Sequence, residues 1–161
     1  MAKALFPLPG WFMKAGQREG DQEDRVIKMI EKVIIHADGA SRGNPGEAAI
    51  GATVKDPEGR LLSSVSRRIG RATNNQAEYR AVIAALEAAV RIDARSADVY
   101  LDSELVVKQI NGAYRVKNAA LKPLHSKVIS LTTLFNGIRF GHVPRRRNAE
   151  ADGLANRAFE V

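Results

Sequence analysis

The sequence predicts an α/β fold in which one mixed five-stranded sheet is flanked by helices, and three observations carry that expectation. Apolar, β-branched runs over residues 33–69 alternate with turn signals, as in an antiparallel meander. Beyond them, apolar residues recur at three- and four-residue spacing, the period of amphipathic helices. Those helical segments alternate with two further short strands, the order expected of parallel additions to the sheet.

Each element has its own local reason. Val33–Ala40 and Glu47–Lys55 are strand-like, and Asp56-Pro-Glu-Gly-Arg60 is a turn leading into a third strand at Leu61–Ile69. Tyr79, Val82, Ile83, Leu86 and Val90 mark a helix from Asn75 to Ile92. Ala97–Asp102 reads as a strand, and Ser103–Asn111 as a helix stopped by Gly112. Leu121–Phe135 is a helix with Pro123 in its first turn, Gly137–Val143 a strand and Asn148–Phe159 a closing helix. Residues 1–32 differ: Pro7, Pro9, Gly10, Gly16 and Gly20 precede a charge-dense run from Arg18 to Arg25 and a short helical pattern over Arg25–Lys32. We therefore expect an N-terminal extension at 1–32, partly disordered, with Trp11 and Phe12 as candidate stacking residues, and a globular domain at 33–161.

Composition narrows the chemistry. The chain of 161 residues is 45% apolar and 27% charged, an ordinary globular balance that excludes a fibrous repeat. With no cysteine there is no disulfide framework, thiol nucleophile or thiolate metal site, and three scattered histidines do not make a histidine cage. A net charge of +7, of which +6 falls in residues 33–161, suits a polyanionic partner such as nucleic acid. No apolar run is long enough to span a membrane, and prolines interrupt the N-terminus before a signal sequence can form, so a soluble cytoplasmic protein is expected.

The carboxylates are the informative residues. Asp38 lies inside the apolar run Ile34-Ile35-His36-Ala37-Asp38, and Asp102 ends Val99-Tyr100-Leu101-Asp102. A charge in such a place is costly unless compensated. Parallel, adjacent strands would bring the two acids to one point of the sheet, where a hard divalent cation could hold both. Each acid also has a plainer use. Asp38 precedes Gly39 in a turn-like sequence, and Glu78 stands three residues after Asn75, like the acid of a capping box. Asp102 and Asp152 stand near helix starts, where negative charge suits the dipole. The segment Asp38-Gly-Ala-Ser-Arg-Gly-Asn-Pro-Gly46 fits either a hairpin connection or a loop closely approached by a ribose–phosphate chain, and it is not a Walker loop.

Four blocks together carry a family resemblance. Asp38-Gly-x-Ser-x-Gly-Asn-Pro-Gly46, Thr73-Asn74-Asn75-x-Ala77-Glu78, Leu101-Asp102-Ser103 and Gly141-His142 followed by Asn148-x-x-Ala151-Asp152 resemble ribonuclease H of type 1, in its order and spacing, across residues 33–160. The resemblance implies a ribonuclease H-like fold and hydrolysis of the RNA strand of an RNA/DNA hybrid, leaving 5′-phosphate and 3′-hydroxyl ends. It implies that Asp38, Glu78, Asp102 and Asp152 hold two Mg²⁺ ions about 4 Å apart, with Mn²⁺ as a substitute. His142 matches a mobile histidine that assists proton transfer or product release; the alternative is a surface loop histidine. Gly43, Asn44 and Gly46 match a loop that reads 2′-hydroxyls, and Asn74 and Asn75 match groove-contacting amides, with helix capping as their alternative. Arg71 and Thr73 occupy positions that in some members grip a DNA phosphate; Arg71 could equally be a solvated turn residue.

The chain departs from many bacterial members at Asn111–Leu124, which has neither the tryptophans nor the lysine run of their basic protrusion. It looks closer to the compact archaeal and plant-like branch, some of whose members also cut double-stranded RNA. Arg145, Arg146 and Arg147 could supply the missing phosphate contacts, or form a solvated loop. A monomer acting on nucleic acid, with no membrane partner, is expected. Two other readings stay open: a hybrid- or double-stranded-RNA-binding module of the same fold with weak or no catalysis, and another metal nuclease of the wider superfamily, such as an integrase or resolvase.

Overall fold

The computed structural model describes residues 30–160. The strands are β1 (Lys32–Ser41), β2 (Gly46–Lys55), β3 (Leu61–Ala72), β4 (Ser96–Leu101) and β5 (Gly137–His142). The α-helices are α1 (Asn74–Arg91), α2 (Glu104–Ile110), α3 (Lys122–Thr132) and α4 (Ala149–Ala158). One sheet runs in the order β3-β2-β1-β4-β5, antiparallel from β3 to β1 and parallel from β1 to β5. This is the mixed, helix-flanked sheet that the sequence predicts.

Along β1, Val33, Ile35 and Ala37 are fully buried and alternate with half-buried Ile34 and His36, the signature of a strand with one fully covered face. β2 is buried almost without interruption because helices cover both of its faces, α1 on one and α4 on the other. Alanines 77, 81, 84, 85, 88 and 89 line the buried side of α1, so its backbone seats close to the sheet. The Tyr79 hydroxyl donates to Gln109 Oε1 at 2.7 Å, and His125 Nε2 meets the Gln109 carbonyl at 3.1 Å. These bonds tie α1, α2 and α3 together, one residue along α1 from Glu78. At its other end, Asp98 on β4 is held by Lys32 of β1 at 2.7 Å and by two bonds of 3.1 Å from Arg139 of β5.

The boundaries differ from expectation in instructive ways. β3 continues three residues beyond Ile69, past a register shift against β2 near Ala48/Ala49; a second shift, near Val54/Lys55, lies at its start. The helix expected over Leu121–Phe135 ends at Thr132, where the Thr132 and Thr133 hydroxyls donate to the carbonyls of Ile129 and Ser130. A 3₁₀ turn, Arg145–Asn148, opens behind Pro144 ahead of the closing helix. Trp11, Phe12, the charged run and most of the Arg25–Lys32 pattern lie outside the described residues. Within that pattern, Ile30 and Glu31 are not helical, because their carbonyls accept the Arg95 and Ser96 amides, and Lys32 already belongs to β1. No described helix is long and apolar enough to cross a membrane.

Candidate active site

Strand register brings the acids together. The β1–β4 pairing ends at His36 opposite Tyr100, and Asp38 and Asp102 each stand two residues beyond that pair, level with one another. Where the strands part, the sheet offers a crevice at a topological switch point. Glu78 reaches the same place from the second turn of α1. The approach is close because residue 39 is glycine: a Cβ there would lie 2.2 Å from the Ala77 carbonyl carbon. The Gly39 amide donates to Glu78 Oε1 at 2.6 Å and fixes that carboxylate over β1. Ligand oxygens of Asp38, Glu78 and Asp102 all lie within 4.8 Å of one another.

The electrostatics are those of an uncompensated negative cluster. Burial first, then the facing Glu78 and Asp102 charges, push the Asp38 carboxyl far above the usual carboxylate range. Burial also pushes Glu78 up to about 7, against the Gly39 amide bond that pulls it down. Carboxylate oxygens crowded in this way form a hard, anionic donor set that suits a divalent cation. The cluster opens into a polar cavity of about 310 Å³ lined by Asp38, Gly39, Asn74, Asn75, Glu78, Asp102, Ser103 and Arg145.

Asp152 stands beside the cluster on the first turns of α4, within side-chain hydrogen-bonding reach of Asp38, and it accepts a 3.3 Å bond from Asn156. The capping alternative for Glu78 does not hold. Thr73 is the N-cap and Gln76 completes the capping box, which places Glu78 beyond the cap and leaves the Asn74 and Asn75 side chains without a capping role. Thr73 itself spends its hydroxyl on that cap. Gly43 and Asn44 lie on the β1–β2 loop, and Gly46 opens β2. Asn44 Oδ1 accepts the Asn74 amide at 3.0 Å while Asn74 Oδ1 accepts the Ser41 amide at 3.2 Å, so the loop and the start of α1 form one amide-rich ridge along the crevice.

The other expected residues are less central. His142 is exposed at the end of β5, opposite Leu101, and it does not line the cavity. Arg71 is exposed on β3 opposite Glu47, a strand position and not a turn. Of the three arginines in the 3₁₀ turn, Arg145 lines the cavity; Arg146 and Arg147 are exposed outside it. Sequence reasoning placed Ser103 at a helix start and in the Leu101-Asp102-Ser103 block but gave it no site role; it lines the cavity and caps α2 through Val106 N at 3.3 Å. Sequence reasoning also gave Gly39 no role of its own, because the nearness of Ala77 is a tertiary fact.

Comparison with known proteins agrees with this architecture. Residues 36–158 match the model of a family described as reverse transcriptase-like. A bifunctional protein of Mycobacterium tuberculosis is 47% identical over 131 residues, 81% of this chain but 36% of that protein, so the chain spans about a third of that relative's length. Ribonuclease HI of Halobacterium salinarum is 44% identical over 80% of this chain and 65% of its own length. Its crystal structure superposes with a TM-score of 0.79 at 43% identity, covering 80% of this chain and 98% of the solved one. A ribonuclease H1 isolated from compost, solved in complex with an RNA/DNA hybrid, gives a TM-score of 0.76 at 40% identity over 80% of this chain and 96% of its own. On sequence, strand order and the family match alike, the chain belongs to the type 1 ribonuclease H family.

Proposed function

We propose that this chain is a divalent-metal-dependent endoribonuclease that hydrolyses the RNA strand of an RNA/DNA hybrid, leaving 5′-phosphate and 3′-hydroxyl ends. The observation that carries the proposal is the convergence of Asp38, Glu78 and Asp102 within 4.8 Å, in a crevice flanked by an amide ridge. Asp38, Glu78 and Asp102 would hold one ion, and Asp38 with Asp152 a second. When bound, a pair of Mg²⁺ ions, or Mn²⁺ in their stead, would activate the attacking water and stabilise the leaving 3′ oxygen.

The chain's own groups do the rest. The Gly39 amide keeps Glu78 turned toward Asp38 and Asp102, with which it would hold the ion. Asn44, Asn74 and Asn75, on the ridge, present amides to the 2′-hydroxyls that distinguish RNA from DNA. Arg145, at the cavity wall, sets a fixed cation against the phosphate backbone. His142, exposed and outside the cavity, can meet the departing strand and deliver or remove a proton there.

The test is cleavage of three matched labelled duplexes, RNA/DNA, RNA/RNA and DNA/DNA, with Mg²⁺, Mn²⁺ or chelator. Metal-dependent cutting of the RNA strand of the hybrid is expected. Cutting of RNA/RNA as well extends the substrate range to double-stranded RNA, whereas salt-sensitive hybrid binding without any cutting refutes the enzyme reading in favour of a binding module.

A further inference from the structure

Asn148 stands where a helix cap belongs, yet it does not cap. It is the residue before α4, in a position that asparagine commonly occupies in order to bond the first free amides of a helix, and it makes no such bond. Its side chain turns inward, and only 1% of the residue is exposed. Nδ2 donates to the Ala37 carbonyl at 2.9 Å, across 111 residues of sequence. Oδ1 is buried with no hydrogen-bond partner among the described residues. A buried amide with one unused half is unfavourable, so the donor half is what the fold retains.

The place of that bond is informative. The β1–β4 pairing ends at His36, and the carbonyl of the next residue, Ala37, is the one Asn148 takes, immediately before Asp38. Four residues after Asn148, about one helical turn, comes Asp152. α4 is seated a second time at Gly51, the register partner of Asp38, where a Cβ would lie 2.2 Å from the Ala151 carbonyl oxygen and 2.5 Å from the Ala155 amide nitrogen. Height and rotation of α4 are thus set against β1, which bears Asp38, and against β2 beside it.

We infer that Asn148 is a positioning residue: its bond to Ala37 registers α4 on β1 and thereby places the Asp152 carboxylate beside Asp38. The inference rests on the proposed metal-holding role of Asp152, and groups that orient metal ligands in this way commonly alter affinity or turnover by 10–100-fold when removed.

The experiment is a double-mutant cycle on the full chain, read by calorimetric titration with Mn²⁺ alone. It compares wild type, Asn148→Ala, Asp152→Ala and the pair, each checked by thermal melting. Asn148→Ala should weaken Mn²⁺ binding about tenfold. The double variant should bind no more weakly than Asp152→Ala, because both changes remove one function. With hybrid as substrate, kcat should fall while KM stays within about twofold, a split that general loosening of the fold does not produce. Asn148→Ser runs in parallel in case the alanine variant does not fold. Losses that multiply in the pair, unchanged Mn²⁺ binding in a folded variant, or failure of both variants to fold would overturn the inference. A wild-type chain that binds no Mn²⁺ overturns the metal reading itself, whereas wild-type binding indifferent to Asn148 overturns this inference alone.

Discussion

Asp102 follows a buried strand and lies level with Asp38, so register brings its charge to the cluster, within side-chain hydrogen-bonding reach of Glu78. Asp102→Asn keeps the shape and removes an anionic ligand atom. Turnover on hybrid should fall about 100-fold or more, while hybrid affinity changes little because the ridge and Arg145 are untouched; single-turnover kinetics beside a binding assay checks both. At this scale the sequence was legible wherever a residue contradicted its neighbours. Asp38 is a charge inside one apolar strand and Asp102 a charge at the end of another, and such a conflict needs a reason outside the strand. Gly39 and Asn148 were not legible in the same way, because what they touch, Ala77 and Ala37, is set by packing. Nothing in the local string shows that a glycine is a seat for a helix or that an asparagine is a clamp.

Elements were read well in kind and less well at their ends. The true start of α1 depends on the reciprocal Thr73–Gln76 bonds, and a threonine followed three residues later by glutamine competes in sequence with Asn75 and Glu78 for the same role. β3 outran its apolar pattern because the shift near Ala48/Ala49 resets its pairing with β2, and periodicity cannot anticipate an extra residue. Tyr79→Phe strands Gln109 Oε1 in the interior and cuts the link between α1 and α2; a loss of about 1–2 kcal/mol is expected in denaturant melts. Within the 3₁₀ turn, Arg145→Ala should weaken hybrid binding and lower its salt dependence by about one counterion, with smaller effects for Arg146→Ala and Arg147→Ala. Affinities measured across a salt series separate the three.

For the molecule as a whole, the acidic cluster links stability to pH and to metal. Glu78 and Asp38 bind protons more tightly folded than unfolded, so their favourable contribution is complete below the unfolded carboxylate range. It is lost as pH rises, through about 7 for Glu78 and beyond that for Asp38. Metal-free protein should therefore show a melting temperature that declines from about pH 5 to 8, relative to Asp38→Asn, and millimolar Mg²⁺ should reverse the decline in wild type only. A wild-type curve parallel to that of the variant would refute the linkage. The succession of strands and helices along the chain was legible in the sequence because apolar runs and helical periods alternate clearly, whereas the placing of β1 beside β4 comes from the sheet itself. The depth of the crevice was not, since it depends on how closely two helices settle onto one strand pair.

Among the described residues, the outer strand β3 leaves one row of backbone groups without a neighbouring strand, the usual invitation to edge-to-edge polymerisation. Two register shifts kink that row, and Arg67, Arg68 and Arg71 stand along it. A second copy adding its own β3 would have to match both kinks and bring two sets of arginines side by side. The rim of the sheet is thus guarded against amyloid-like stacking by geometry and by like charge together. Because added salt screens only the charge, the bends remain as protection at high ionic strength.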